Sequence, residues 1–299
     1  MTATNRPAIG FIGLGLMGSA MVERMQSLGY PMTVIANRSR ANVDAAVARG
    51  ATEVKTAREI AEAADIVMLC MDTSASVEAR MRGDDGVIAG LKPGTIVVDF
   101  GTSLPSSTLE LAKEVEAAGA RYMDAPLGRT PTHAIEGLLN IMAAGAEEDF
   151  AKLEPVFHDI GENVFHVGPL GAGHTLKLIN NFMAMTTACA MSEAFAMADK
   201  AGLPRQKLYD VMSAGPVHSG MMDFIKAYAV DGDSSKLAFF VANGRKDVGY
   251  YSMMADAIGV PSIMSLSAKQ ALGIATATGN GQKLVPEMVD FFADLFKDK

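Results

Sequence analysis

Lys177 and Asn181 stand four residues apart in the segment Gly171-Ala172-Gly173-His174-Thr175-Leu176-Lys177-Leu178-Ile179-Asn180-Asn181, whose helical spacing puts both on one face. An ammonium there could protonate or polarise a carbonyl oxygen, while the amide hydrogen-bonds the same substrate and fixes its orientation. Spacing alone leaves a second reading equally open, in which Lys177 merely extends to water and the asparagines contact a neighbouring loop. Other routes to carbonyl chemistry are poorly supplied. None of the six tyrosines is followed four residues on by lysine, and the five histidines show no identifiable partner. The two cysteines, Cys70 and Cys189, lack metal spacing, so neither a zinc site nor a disulfide framework is expected.

A second constellation could hold a cofactor. Gly13, Gly15 and Gly18 form G-x-G-x-x-G between an apolar run and a helical pattern, with Leu14, Leu16 and Met17 completing the turn. Gly13 would permit the tight turn, Gly15 the approach of a pyrophosphate to the backbone, and Gly18 close packing of helix on sheet, with free helix N–H groups facing the phosphates. Such a turn can be purely structural, but its place at the start of a βαβ unit favours a dinucleotide. About 20 residues on, NAD binders usually carry an acid for the ribose hydroxyl. Here Asn37, Arg38, Ser39 and Arg40 stand instead, removing the anion that would repel a 2′-phosphate and supplying donors, so NADP(H) is favoured over NAD(H). The same residues could also serve only as a capped, solvated helix start.

These residues need elements to position them. The 299 residues are 49% apolar and 20% charged, enough for two packed domains at about 150 residues each. From residue 8 to about 168, short apolar runs alternate with amphipathic stretches, the mark of a mainly parallel α/β sheet. Strands are expected at Ala8 to Ile12, Met32 to Ala36, Ile66 to Leu69, Ile96 to Val98, Arg121 to Asp124 and Asn140 to Ala143. Their carboxyl ends, where ligands bind in open sheets, lead into Met71-Asp72-Thr73, Gly101-Thr102-Ser103 and Pro126-Leu127-Gly128. Beyond residue 168, Ala, Met, Leu and Lys at helical spacing dominate, giving a mainly parallel α/β domain over 1–168 and an all-α domain over 169–299. A long helix from Ala172 to Ala201 would join them, followed by helices at Arg205 to Ser213, Ser219 to Val230, Leu237 to Ile258, Ser262 to Thr276 and Leu284 to Phe296.

Charge narrows the partners. Lys plus Arg number 26 against 34 Asp plus Glu, a net charge of −8 that argues against nucleic acid. No export signal or bilayer-spanning run is visible, and the paucity of cysteine suits a reducing cytoplasm. The apolar face of residues 182–198 is more than a small helical domain would cover, so a homodimer or homotetramer is expected.

Five ordered motifs carry a resemblance that covers essentially the whole chain. They are residues 10–18, the run Asp99-Phe100-Gly101-Thr102-Ser103-Leu104-Pro105, Asp124-Ala125-Pro126, residues 171–181, and Lys246-Asp247. Together they resemble the β-hydroxyacid dehydrogenases, the 3-hydroxyisobutyrate dehydrogenase family. The resemblance implies a Rossmann domain and a helical domain sharing a long helix, with a cleft between them and Lys177 as the catalytic residue. It further implies that Asn181 contacts substrate, that Thr102 and Met71 lie along the nicotinamide half, and that Lys246 reaches into the closed cleft near the cofactor.

One departure bears on substrate. Most of the family carries a small, hydroxyl- and glycine-rich segment after the Asp-Ala-Pro motif, whereas this chain has Leu127-Gly128-Arg129-Thr130. That change resembles the sulfolactaldehyde reductase branch. An arginine beside the cleft could grip an oxyanion with two parallel N–H bonds, with Gly128 and Thr130 beside it, or could instead pair with an acid such as Glu136 and select nothing. Gly101 and Ala184 stand where relatives can carry serine, which removes possible substrate contacts. The expected activity is interconversion of a short 3-hydroxy acid or hydroxy-sulfonate and its semialdehyde, such as 3-hydroxyisobutyrate, 4-hydroxybutyrate with succinic semialdehyde, or sulfolactaldehyde. The rivals are imine reduction on the same scaffold, which relatives lacking this lysine perform, and a dinucleotide-binding sensor without turnover.

Overall fold

Parallel strands buried on both faces read as unbroken apolar runs, and β1 (Ile9–Ile12), β4 (Ile66–Leu69) and β5 (Ile96–Asp99) are buried at every position. The computed structural model describes residues 6–37 and 40–297. With β2 (Met32–Ile35), β3 (Thr52–Val54) and β6 (Arg121–Asp124), these strands form one parallel sheet in the order β3-β2-β1-β4-β5-β6. Its crossovers are α1 (Leu16–Ser27), α2 (Ala41–Ala48), α3 (Ala57–Ala63), α4 (Ser74–Met81), α5 (Val87–Gly90) and α6 (Pro105–Ala117). Local chemistry fixes their starts: Thr56 and Glu59 form a reciprocal capping box on α3, and Pro105 opens α6 where its missing N–H costs nothing.

A second, three-stranded sheet joins β7 (Leu127–Gly128), β8 (Leu139–Ala143) and β9 (Gly161–His166), with α7 (Pro131–Glu136) and α8 (Glu147–Ile160) between them. An antiparallel bridge between Asp124 and Ala144 ties it to the β6 edge of the larger sheet. At the other edge, β3 is three residues long and its Glu53 carboxylate is ion-paired to Arg40. One face of the large sheet packs Phe11, Met21, Phe100 and Phe157, and the other packs Ile60, Leu69, Leu111 and Val115.

The chain divides into two compact units, Met1–Lys177 and Leu178–Lys299. Helix α9 (Ala172–Lys200) runs from one into the other. The second unit adds α10 (Arg205–Ser213), α11 (Gly220–Ala229), α12 (Val241–Ala257), α13 (Ile263–Ala275) and α14 (Met288–Leu295) around Met185, Phe195, Met222, Ile225, Leu272 and Phe292. No helix among the described residues is long and apolar enough to cross a membrane.

Several expectations are corrected. The run from Asn140 belongs to the small sheet rather than the large one, and β3, β7 and β9 have no counterpart in the apolar pattern. Thr52–Val54 is too polar and short to announce itself, β7 has two residues, and Gly161–His166 mixes Glu, Asn and His with Val and Phe. The expected helix from Leu237 to Ile258 is broken: a 3-10 turn at Ser234–Leu237 gives way to extended backbone at Phe240, which bridges Leu284 before α12 begins. The same bridge delays α14, preceded by a 3-10 turn at Val285–Glu287 containing Pro286.

Candidate active site

The glycine turn sits between β1 and α1. A Cβ on Gly13, whose φ is +103°, would lie 2.3 Å from the Cys70 carbonyl oxygen, and one on Gly18 would lie 2.0 Å from that of Gly13. Both positions are therefore closed to any side chain. Above Gly15, by contrast, a Cβ would meet nothing within 4 Å. Gly15 caps α1 without a side-chain hydrogen bond, and no acid stands in the first turn, so the leading N–H groups are left for an anion. This cradle fits the pyrophosphate of a dinucleotide. Leu14 is held from outside, because Asn42 on α2 donates its side-chain amide to the Leu14 carbonyl oxygen at 2.8 Å. Leu16 is exposed and Met17 partly buried at the helix start.

Arg38 and Ser39 lie outside the described residues. Beside them, Asn37 accepts a hydrogen bond from Arg80 of α4 at 3.2 Å, while Arg40 is committed to Asp44 and Glu53. Among the described residues, a cation bonded just past the end of β2 is therefore Arg80, which comes from a different crossover and which local spacing had no means to suggest. At the end of β4, Met71 and Asp72 lead to Thr73, whose hydroxyl caps α4 by accepting from the Ser76 amide at 3.0 Å. At the end of β5, Asp99 accepts from the Gly101 amide and the Ser103 hydroxyl, each at 2.8 Å, and Thr102 is half-buried between them. A Cβ on Gly101 would approach both Asp99 Oδ1 and the Met71 carbonyl oxygen to 2.9 Å, so a serine here would require the backbone at Met71 to shift.

Arg129 adopts φ +76°, the lone positive φ among the described non-glycine residues. Its Nη1 donates to the Leu138 carbonyl oxygen at 2.7 Å and to Glu162 at 2.5 Å. The acid beside it is thus Glu162 of β9 rather than Glu136. Thr130 directs its hydroxyl to His133 Nδ1 at 2.7 Å, and Gly128 lies against Asn140.

Asp124, at the carboxyl end of β6, anchors the start of α9. Its two carboxylate oxygens accept from the amides of Gly171 and His174, both at 2.7 Å. Burial pushes its pKa up, opposed by His174 and by those two amides. Lys177, half-buried, follows three residues after His174, and Asn181 one turn beyond Lys177 on the same helix.

Within the second unit, Asn181 Nδ2 donates to Asp247 Oδ2 at 2.6 Å, and Lys246 Nζ lies 2.9 Å from Asp247 Oδ1 and 5.3 Å from the Tyr250 ring. Asp247 is 1% exposed. By spacing alone Asp247 stands only as half of the Lys246-Asp247 motif, yet its carboxylate holds both polar groups. Asp247→Asn keeps the shape and removes the charge. It is expected to cut kcat/KM about 10–100-fold, and steady-state kinetics within twofold of wild type would make the carboxylate a packing group only.

Residues 8–168 match the family model described as the NAD binding domain of 6-phosphogluconate dehydrogenase. Residues 171–292 match that described as NAD-binding of NADP-dependent 3-hydroxyisobutyrate dehydrogenase. The 2-(hydroxymethyl)glutarate dehydrogenase of Eubacterium barkeri is 33% identical over 277 residues, covering 92% of this chain and 91% of its own. The 3-sulfolactaldehyde reductase of Escherichia coli (strain K12) is 30% identical over 279 residues, 92% of each chain. The crystal structure of a 3-hydroxyisobutyrate dehydrogenase from Salmonella typhimurium superposes with a TM-score of 0.82 at 27% identity, covering 95% of this chain and 99% of that one. Since both halves match and the relatedness runs along nearly all of the chain, this protein belongs to the 3-hydroxyisobutyrate dehydrogenase family, oxidoreductases that work with a nicotinamide dinucleotide.

Proposed function

We propose that the chain interconverts a short 3-hydroxy acid, or a hydroxy-sulfonate, and its semialdehyde, with Lys177 as general acid in reduction and general base in oxidation. One observation carries this reading. Lys177 rides on a helix whose first turn is tied to the carboxyl end of β6, the same edge of the parallel sheet at which β1 delivers the glycine turn. When bound, the nicotinamide supplies or takes up a hydride. The rest of the chemistry falls to side chains of this protein: the oxygen that gains negative charge in reduction needs a proton, and a lysine ammonium supplies one while its charge stabilises the developing alkoxide. Asn181 orients the carbonyl through its amide, whose Nδ2 is held by Asp247. Met71, Asp72, Thr73 and Thr102 border the nicotinamide half, and Lys246 serves the cofactor.

Arg129, with Gly128 and Thr130, is assigned to the anionic tail of the substrate. Its Nη1 is anchored by Leu138 and Glu162, which leaves the Nε–Nη2 edge of the guanidinium for a sulfonate or carboxylate. The strained backbone at Arg129 supports a functional assignment, since a positive φ on a long side chain persists only where the surroundings enforce it. The relatedness to 3-sulfolactaldehyde reductase supports the same substrate class. NADPH is preferred over NADH in this reading, because Asn37 and Arg80 stand where a ribose-binding acid would repel the 2′-phosphate.

A panel of semialdehydes differing only in the terminal anion, run beside neutral aldehydes and imines with NADPH and NADH, tests the assignment. Arg129→Ala is expected to raise KM for anionic substrates about 10–100-fold and to spare neutral aldehydes. Equal effects on both would remove Arg129 from the substrate site. Self-association is part of the reading, but not through the apolar face of residues 182–198, where Met185, Cys189, Met191 and Phe195 are buried in the core of the helical unit. Ile258, Ile263, Met264 and Leu266 are exposed along one stretch instead, and sedimentation over a concentration series should give a mass above that of one chain. Two free thiols, Cys70 and Cys189, accord with a cytoplasmic location.

A further inference from the structure

Asp99 and Asp124 end neighbouring strands at paired register, and His174 stands against both. All three are 0% exposed. His174 Nε2 lies 3.7 Å from Asp99 Oδ2, and Nδ1 lies 3.8 Å from Asp124 Oδ2 and 2.7 Å from the Thr108 hydroxyl of α6. No three His, Cys, Asp or Glu among the described residues are arranged to hold a metal ion, so the cluster does not read as a ligand set. Nor does the proposed reaction use any of these groups directly.

Burying two carboxylates side by side costs free energy that a pair of apolar residues would not. Here the cost is offset in one particular way. The Asp124 carboxylate spans the first turn of α9, taking one amide on each oxygen, and the positive end of the helix dipole adds to both bonds. Helix and sheet are in contact at that point: a Cβ on Gly173 would lie 2.4 Å from the Met142 carbonyl oxygen and 2.8 Å from Asp124 Oδ2. His174 then links the turn to α6 through Thr108. Three elements, β5, β6 and α6, therefore converge on one helical turn, and Lys177 is the next turn of that helix.

We propose that Asp124 and His174 are positioning residues for Lys177, fastening the first turn of α9 so that the lysine amine is delivered to the reacting oxygen. The inference rests on the assignment of Lys177 as general acid. Near-attack geometry is steep, and a displacement of about 1 Å costs on the order of 10²-fold in rate. Asn at 124 can accept only one of the two amides, because its NH2 group faces the other. Ala at 174 breaks the link to Thr108, whereas Asn at 174 can restore it.

The test compares Asp124→Asn, His174→Ala and His174→Asn in the wild-type and Lys177→Ala backgrounds, with NADPH binding and thermal melting measured on each. The expected result is a fall in kcat of about tenfold or more for Asp124→Asn and His174→Ala, with NADPH affinity within about twofold of wild type. His174→Asn should recover most of it, and the fall should vanish when Lys177 is already alanine, since groups that act through one residue are not additive. A fall that repeats in the Lys177→Ala background, or one that tracks melting temperature and is not recovered by Asn, would make the cluster structural and overturn the proposal. Near-wild-type turnover of Lys177→Ala alone would instead overturn the general-acid assignment. Should Asp124→Asn fail to fold, the two substitutions at His174 still decide the matter.

Discussion

Lys177→Ala is expected to lower turnover by about 10²- to 10⁴-fold while leaving NADPH binding intact. The magnitude follows from what is removed. If Lys177 is the proposed proton donor, then without its ammonium the developing alkoxide would have to take its proton from water, and the charge stabilisation of the oxygen would disappear with it. The binding half of the expectation follows from the position of the residue. The cradle for the pyrophosphate is built from the Gly13 to Gly18 backbone, held by Asn42, and Lys177 belongs to a different element. Fluorescence titration with NADPH should therefore give a dissociation constant close to that of wild type. Lys177→Arg makes a sharper version, since guanidinium keeps the charge but does not release its proton at working pH. It should bind substrate and still turn over slowly. Turnover of Lys177→Ala within a few-fold of wild type would reject the lysine as proton donor.

Gly13→Ala and Gly15→Ala should separate folding from cofactor binding. At Gly13 the backbone has φ +103° and the added carbon would collide with the Cys70 carbonyl, which belongs to the neighbouring β4 end and cannot simply rotate away. A left-handed conformation and an overpacked backbone contact together cost about 2–4 kcal/mol, so chemical denaturation should show a marked loss of stability. At Gly15 the φ is −74° and nothing lies within 4 Å of the added carbon. That variant should melt like wild type, yet the methyl group occupies the space that the pyrophosphate needs, and NADPH affinity should drop about tenfold or more. Equal stability of the two variants would contradict the geometry at Gly13. Unaltered NADPH binding by Gly15→Ala would mean that the dinucleotide does not cross this turn.

How much of this was legible beforehand depends on distance along the chain. The βαβ pattern, the glycine turn and the long helix are local, written in apolar periodicity and in glycines. Ile66–Leu69 and Arg121–Asp124 fall where the pattern placed them, and α9 ends at Lys200, one residue before the expected stop. The strands without a counterpart are those whose stability comes from pairing rather than composition, such as Gly161–His166, which lies beside Leu139–Ala143 in parallel register. The same division holds at the site. Lys177 and Asn181 were visible because i and i+4 share a face. Asp124 bonding to His174, Arg80 reaching Asn37, and Glu162 pairing with Arg129 join residues 50, 43 and 33 positions apart, and no local spacing encodes them. His174 in particular looked partnerless among scattered histidines, because its partners lie on three other elements.

The rims of the large parallel sheet bear on how copies of this protein could meet. One rim is continued by the Asp124–Ala144 bridge, which uses backbone groups that an incoming strand would need. The other is β3, three residues long and flanked by the ion pair of Glu53 with Arg40. An invading strand there would find too few free amides and would have to displace a charged pair, which is how natural sheets blunt their margins against edge-to-edge growth. Assembly by extending this sheet into a continuous intermolecular ribbon is thereby disfavoured.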